Sequence, residues 1–345
     1  MAIKRVTMQD IADACNLSRN TISKVFNGRG TVPEATRHMV LQKAQELGYF
    51  QIPNEDISRA QTHSQNIALI TSQMPVDYHF GTLLIPAFTE RLSRFGYTLM
   101  MYEITEEELR QNNLPAHMLL DQTAGILGIE VFDKDYLDML CSLKLPFISI
   151  DSCIGASTSL MNCDLIFMEN MASTFSLTSH MISAGARNLG FIGDANHCSS
   201  FQERWQGFCS ALDSAGLTLD KRLCILSGDI SPYSDAEWLM EQINQMPSIP
   251  DAFVCANDYL AIHLITALKQ YGIVIPRDVM VAGFDDTPQS AFIEPSLTTA
   301  QIPSTYIGRL AADMLLDRIE NPNQPFRSIY VKTTPLLRNS TLRQG

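Results

Sequence analysis

The sequence holds no apolar run approaching the ~18 residues that a membrane span requires, so no segment is expected to cross a bilayer. Its start, MAIKRVTMQDIADAC, has no apolar core and no small-residue cleavage site. No secretory signal is read there, and the expected compartment is the cytoplasm. None of the eight cysteines (Cys15, Cys141, Cys153, Cys163, Cys198, Cys209, Cys224, Cys255) stands in a CxxC pair. Most sit inside apolar runs, as small buried hydrophobes in a reducing compartment do, and not as a disulfide framework would. The seven histidines are scattered, with no HxxxH and no HExxH, so metal catalysis has no support, and neither metal nor cofactor is expected. A phosphate-cradling loop is missing too. There is no GxGxxG and no GKS/T, and Gly190-Phe191-Ile192-Gly193-Asp194 reads as a strand and a turn.

What is present is a globular composition, 46% apolar and 18% charged, over 345 residues. That length suits two or three compact units. The net charge of −12 is unevenly divided. Residues 1–50 carry seven basic and four acidic side chains, whereas the remainder carries 18 basic against 33 acidic. Only the first fifty residues are therefore suited to meet a polyanion such as DNA; the rest would repel it.

Those fifty residues carry three helical patterns. Thr7 can cap a helix with Asp10 in its first turn, and Ile11, Ala12 and Cys15 form one apolar stripe. After a turn at Cys15-Asn16-Leu17-Ser18, Ser18 can cap a second helix through Phe26. Its buried face would be Ile22, Val25 and Phe26, leaving Arg19, Asn20, Ser23, Lys24 and Asn27 outside. A third helix begins near Pro33, runs through Val40, Ala44 and Leu47, and stops at Gly48. Two short helices joined by a tight turn, with a third across them, describe a helix-turn-helix. Arg19 can donate two hydrogen bonds to a guanine edge and Asn20 can pair with adenine. Lys24, one turn on, can reach a base or a phosphate, and Thr21, Ser23 and Asn27 suit phosphates. With Thr7, Ser18 and Thr36 these make the candidate DNA-contacting set. The bland alternative is a three-helix protein-interaction module with a solvated polar face.

The run TMQDIADACNLSRNTISKVFNGRGTVPEATRHMVLQKAQELGY resembles the headpiece of the lactose-repressor/galactose-repressor family. The shared features are Asp10-Ile11-Ala12, Ser18, Thr21-Ile22-Ser23, Val25, Asn27-Gly28, Thr36-Arg37 and Leu47-Gly48-Tyr49. The resemblance implies specificity positions at Arg19 and Asn20, with Lys24 also facing bases. It further implies a hinge helix that wedges a leucine into the minor groove. Here the segment 51–65 departs from the pattern: anchoring on Tyr49 puts Ser58 at the wedge, anchoring on Pro53-Asn54 puts Ala60 there, and Glu55-Asp56 add negative charge. Either Ile57 is a displaced wedge, or the segment is mainly a linker.

From Ile67 onward, apolar runs that suit buried parallel strands alternate with amphipathic stretches. The runs are 67–71, 98–103, 125–129, 147–150, 189–193, 252–256 and 279–284. The helical stretches lie near 82–95, 106–120, 134–143, 172–184, 202–215, 235–246, 259–271 and 304–320. Alternation of this kind implies doubly wound parallel sheets, with ligands bound beyond the carboxyl ends of the strands. Gln73 and Asp151, each just after a strand, are candidates on that ground.

The family resemblance extends here through Glu203-Arg204-Trp205-Gln206-Gly207, Ala256-Asn257-Asp258, Val281-Ala282-Gly283-Phe284-Asp285-Asp286 and Pro295-Ser296-Leu297-Thr298-Thr299. It implies an α/β core like the periplasmic sugar-binding proteins, with two subdomains joined by three crossings. The implied division is a headpiece 1–50, a hinge 51–65, a first subdomain 66–160 plus 290–322 and a second 161–289 plus 323–345. It also implies effector contacts from Arg204, Asn257 and Asp285, with ring stacking at His79 and Phe80. A guanidinium fork, an amide and a carboxylate suit a polyol. Trp205 is expected to pack, Asp258 to cap a helix, and Asp286 to point away from Asp285. Arg204 could instead bridge subdomains through an ion pair.

The expected protein is an effector-controlled, operator-binding repressor acting as a homodimer or tetramer. Its partners would be double-stranded DNA and a sugar-like small molecule. A nucleoside or purine, a phosphorylated metabolite or a co-repressor protein are the other effector classes. The enzymatic alternative casts Asp285-Asp286 and Glu203 as the carboxylates of a glycosidase; against it, neighbouring strand residues face opposite ways.

Overall fold

The computed structural model describes residues 7–26, 32, 33, 36, 39, 40, 43, 44, 66–74, 81–156 and 161–342. The chain divides into two units, Met1–Gln65 and Asn66–Gly345.

In the first unit, α1 (Met8–Cys15) opens on a capping box: the Thr7 hydroxyl accepts from the Asp10 N–H at 3.4 Å, and the Asp10 carboxylate accepts from the Thr7 N–H at 2.7 Å. It ends at Asn16, whose φ of 52° is the left-handed conformation of a helix stop. Next comes α2 (Arg19–Phe26), capped by Ser18, whose Oγ accepts from the Thr21 N–H at 3.1 Å. Thr36, Met39, Val40, Lys43 and Ala44 are helical as well. Ile11, Ala12, Ile22, Val25, Val40 and Ala44 close over one another as a small core, so the helical spacing does bury one face. The Phe26 side chain, Leu47 and the expected hinge 51–65 lie outside the described residues.

The second unit begins with β1 (Asn66–Thr71), α3 (Gly81–Ser93), β2 (Thr98–Glu103), α4 (Glu106–Gln111), β3 (Thr123–Ile129), α5 (Lys134–Ser142), β4 (Phe147–Ile150) and β5 (Asp164–Met168). It continues with α6 (Met171–Ser183), β6 (Leu189–Ile192), α7 (Ser199–Ser214), α8 (Ala236–Asn244), β7 (Ala252–Cys255), α9 (Asp258–Gln270) and β8 (Met280–Ala282). The last elements are α10 (Pro288–Phe292), β9 (Thr299–Gln301), α11 (Ser304–Glu320), β10 (Ser328–Val331) and β11 (Thr334–Leu336).

Six parallel strands form the first sheet, in the order β10-β5-β4-β3-β1-β2. Alternate residues of each strand point to opposite faces. Ile67, Leu69, Leu127 and Ile129 meet α3 and α11, whereas Ala68, Ile70 and Ile126 meet Tyr136, Leu137 and Leu140 of α5. Burial on both faces is why these strands read as unbroken apolar runs. The second sheet is β6-β7-β8, also parallel, and isolated bridges from Ala282 to Thr298 and from Asp285 to Gln301 tie its end to the β9–β11 pair. No helix among the described residues is long and apolar enough to cross a membrane.

Three expectations change. Sheet membership moves the subdomain boundaries of 160/161, 289/290 and 322/323. β5 and β10 belong to the first sheet, and β9 is tied to the second, so the chain crosses between β5 and α6, between β9 and α11, and between β10 and β11. Buried Asp164 fixes part of this. It holds Arg318 of α11 through two bonds of 2.9 and 3.0 Å and accepts from the Arg327 N–H at 2.8 Å, which seats β10 beside β5. Second, the stretch 106–120 is helical only over α4. Asn112 takes φ 53° and closes it, and Pro115 lies just beyond. Third, β5, β9, β10 and β11 are strands that the apolar-run pattern did not include.

Candidate functional site

The carboxyl ends of both sheets bring Asp151, Arg204, Asn257 and Asp285 toward one region. Asp151 follows β4 directly, with φ 57°. Arg204 projects from the first half of α7, and Asn257 and Asp285 follow β7 and β8. Arg204 has only 4% of its side chain exposed. Its Nη1 donates to the Ala256 carbonyl at 2.7 Å and lies 3.4 Å from Asp285 Oδ1. Its Nε donates to Asn170 Oδ1 at 2.9 Å, and its guanidinium lies over the Phe284 ring, 3.8 Å from the centroid. Burial raises the Asp151 carboxyl above its ordinary range, against opposing contributions from Ser200, the Ser152 N–H and Arg204. Arg204 is held by two partners within its own subdomain, Ala256 and Asp285, and by Asn170 at a crossing. An ion pair that simply straddles the subdomains does not describe it.

Asn170 is a junction that the sequence reading missed. Its Nδ2 donates to the Met168 carbonyl at 2.8 Å, to Glu203 Oε2 at 2.8 Å and to Ser200 Oγ at 3.2 Å. Glu203 Oε1 in turn accepts from the Tyr330 hydroxyl at 3.0 Å, and the Tyr330 ring stacks on Phe167, 5.0 Å between centroids. A continuous hydrogen-bonded chain therefore links Arg204 in the second subdomain to β10 in the first. Desolvation raises the Glu203 carboxyl above its usual value, partly offset by Asn170 and Tyr330. Gly207 makes the arrangement possible: a Cβ there would sit 2.4 Å from the Met171 carbonyl oxygen, so only glycine lets α7 lie this close to α6.

The roles around Asn257 are exchanged relative to expectation. Asn257 is the cap of α9, its Oδ1 accepting from the Leu260 N–H at 3.0 Å. Asp258 is fully buried in the first turn, not the cap, and accepts from the Thr287 N–H at 2.9 Å and the Thr299 hydroxyl at 2.6 Å. It thus ties α9 to the segments after β8 and at β9, and Gly283 leaves room for its carboxylate, 2.4 Å from where a Cβ would be. Asp286 does turn away from Asp285, to Arg338 at 2.5 Å and Gln301 at 2.8 Å. The reason is a turn and not strand alternation. β8 ends at Ala282, and Asp285 and Asp286 have φ of 119° and 56°. Asp285, Asp286 and Glu203 are each engaged by different partners: Arg204, Arg338, and Asn170 with Tyr330. Trp205 packs edge-on to Phe191, as expected.

Two further contacts span the subdomains. The Ser199 N–H donates to the Ser152 carbonyl at 3.0 Å and its hydroxyl to the Cys153 carbonyl at 2.6 Å. Phe132, after β3, meets the His197 ring edge-on at 4.8 Å, and His197 also faces Phe201 at 5.2 Å and Asp229 at 3.8 Å. None of these residues stood out in the sequence, because none carries a motif. Gln73 is exposed and turned onto Thr71, with no described contact to the Arg204 group. His79 and Phe80 lie outside the described residues.

In the first unit, Arg19, Asn20 and Lys24 are exposed on α2, and Ser23 and Thr21 are half-buried. Thr7 and Ser18 serve as caps, and Ser18 Oγ also lies 2.8 Å from Thr21 Oγ1. Thr36 is helical and half-buried. Asn27 and Ile57 lie outside the described residues.

A three-helix headpiece with a polar outer face on α2, followed by two parallel-sheet subdomains with polar groups at their strand ends, defines a DNA-binding regulator on a periplasmic-binding-protein core. Bacterial regulatory proteins of the lacI family match over residues 7–54, and the periplasmic binding protein-like domain matches over residues 178–341. The chain belongs to the lacI family of transcription regulators. It is 26% identical over 321 residues to the HTH-type transcriptional repressor PurR of Haemophilus influenzae (strain PittEE), covering 92% of each chain. Among solved structures it resembles the transcriptional regulator CelR in complex with cellobiose (TM-score 0.71, 24% identity, 97% of this chain and 100% of that one). It also resembles the Lac repressor dimer bound to operator and the anti-inducer ONPF (TM-score 0.71, 22% identity, 99% and 100%).

Proposed function

We propose that the chain is a cytoplasmic repressor that binds a near-palindromic operator as a homodimer and responds to a sugar-like effector held between its two subdomains. The observation that carries the DNA half is the exposed row of Arg19, Asn20 and Lys24 on α2, whose caps and buried face fix its orientation. Arg19 and Asn20 read base edges, Lys24 reads a base or phosphate, and Thr21, Ser23 and Asn27 hold phosphates. Thr7, Ser18 and Thr36 contribute at the backbone, and Ile57 or a plain linker fills the hinge. A dimer presents two such helices one helical turn apart, and the operator-bound dimer of the Lac repressor supports that assembly.

The effector half rests on Arg204, Asp285, Asp151 and Asn257, a fork, two carboxylates and an amide that match vicinal hydroxyls; Gln73, and His79 and Phe80 through the family resemblance, are the further candidate contacts. A cellobiose-bound relative supports a sugar. Effector binding favours one arrangement of the subdomains and so alters operator affinity. Operators selected from random duplex DNA, then tested by gel shift at about 50 mM salt with and without sugars, give the decisive measurement. Selection of a defined half-site, and a sugar that shifts its affinity, are expected. Binding without any sequence preference under all ligand conditions would overturn the reading.

A further inference from the structure

Three of the eight cysteines, Cys141, Cys153 and Cys163, belong to one apolar cluster on the face of the first sheet that α5 covers. Cys163 stands directly before β5 and shares that face with Leu165 and Phe167, each two residues further on. On α5, Tyr136, Leu137, Leu140 and Cys141 form the stripe that packs into the same cluster. The last turn of α5, which holds Cys141, is joined to β4 by residues 143–146 alone, and Ile148 of β4 is paired with Asp164 of β5. The end of α5 and the start of β5 therefore lie side by side.

The two thiols meet there. The Cys163 thiol donates to the Cys141 sulfur, which also accepts from the Asn162 N–H. Cys141 is half-buried, whereas Cys163 is 2% exposed. The bond from Cys163 holds Cys141 below the usual thiol range against desolvation, and the same bond, with burial, pushes Cys163 up. A solvent-reachable thiolate beside a thiol that keeps its proton is the pairing of an attacking and a resolving cysteine. The neighbouring cysteines differ. Desolvation raises Cys153 and Cys209 above the usual range and Cys224 to about 11.

We propose that Cys141 and Cys163 are a peroxide-responsive pair that closes to a reversible disulfide. The Cys141 thiolate attacks one oxygen of the peroxide. The O–O bond breaks, the departing hydroxide takes a proton to become water, and Cys141 is left as a sulfenic acid. The Cys163 sulfur then attacks the Cys141 sulfur. The S–S bond forms as the S–O bond breaks, and the second water leaves with the Cys163 proton. Two thiols are thus oxidised by the loss of two hydrogens, and one peroxide is reduced to two waters. A dithiol reductant reopens the bridge by exchange. In a reducing compartment the bridge is transient, unlike a structural framework. While closed, it ties the last turn of α5 to the start of β5, the strand that leads into Asn170.

The test treats the full-length folded protein with hydrogen peroxide in small molar excess, blocks remaining thiols with N-ethylmaleimide, and maps the digest by mass spectrometry. The expected product is a peptide pair joined through Cys141 and Cys163, lighter by two hydrogens than the free pair and separated by dithiothreitol. Cys141 is expected to react at least about tenfold faster than Cys209 or Cys224. Cys163→Ser is expected to leave Cys141 as a sulfenic acid that dimedone traps, whereas Cys141→Ser leaves no trappable group at Cys163. The bridge and the rate comparison are read on the wild-type protein, so they decide the matter even where a variant fails to fold. The inference is overturned if no bridge forms, if the first bridge joins Cys209 to Cys224 or includes Cys153, or if Cys141 reacts no faster than Cys209.

Discussion

Gly207 illustrates how much of this protein is decided at single positions. Its missing side chain lets the Met171 carbonyl approach α7, and a helix carbonyl cannot move aside as a flexible side chain can. Gly207→Ala is expected to destabilise the fold by about 3 kcal/mol, the upper part of the usual range for overpacking, read as a lower urea midpoint at unchanged slope. Glu203 is the second such position. Burial raises its folded-state pKa above the unfolded value of about 4.3. The native state therefore binds a proton where the unfolded chain has released it. The stability linked to this group is complete below the unfolded pKa and is lost as pH rises through the folded pKa. Glu203→Gln is expected to flatten the fall in stability with rising pH in that window, measured by urea unfolding from about pH 4 to 7. An unchanged pH slope would mean that Glu203 titrates normally. Motif residues could be picked out in the sequence at this scale, but their partners could not. Arg204 belongs to a recognisable run, whereas Asn170, its closest side-chain hydrogen-bond partner at 2.9 Å, follows a strand that the apolar pattern did not isolate.

At the scale of elements, strands buried on both faces announce themselves. FISI coincides with the fully buried β4, and the stretch 304–320 coincides with α11. TLMMYE coincides with β2, but that edge strand is largely exposed, against the expectation of a buried one. β10 and β11 are half-exposed as well and carry no apolar run. That hidden strand β10 carries Tyr330, which joins Arg204 to the first sheet through Glu203 and Asn170. Tyr330→Phe keeps the ring stack on Phe167 but removes the hydroxyl bond to Glu203. The expected cost is about 1 kcal/mol of stability. The larger expected consequence is a weaker effect of ligand on operator binding, at unchanged ligand-free operator affinity, measured by gel shift. An unaltered response would mean that the chain of bonds only holds the strand in place.

For the whole molecule the uneven charge sets the behaviour. A basic headpiece of net +3 precedes an acidic remainder of −15, so operator affinity should fall steeply with salt while the core stays off the duplex. Lys24→Ala is expected to weaken binding to all sequences alike and to lower the salt slope by about one if Lys24 holds a phosphate. Arg19→Ala should instead relax base preference at one position of each half-site, and binding titrations over a range of salt separate the two. The sequence by itself determined the class of protein. Capped, periodic helices and doubly buried strands depend on spacing along the chain, and spacing is a local property. The tertiary structure alone decided which sheet each strand joins, where the chain crosses between subdomains, and which side chains meet Arg204. Those depend on contacts such as Asp164 with Arg318, 154 residues apart in sequence. The headpiece and its exposed Arg19, Asn20 and Lys24 could be read from residues 7–26. The surroundings of Arg204 could not, because Asn170, Ala256 and Asp285 come from separate parts of the chain that only folding brings together.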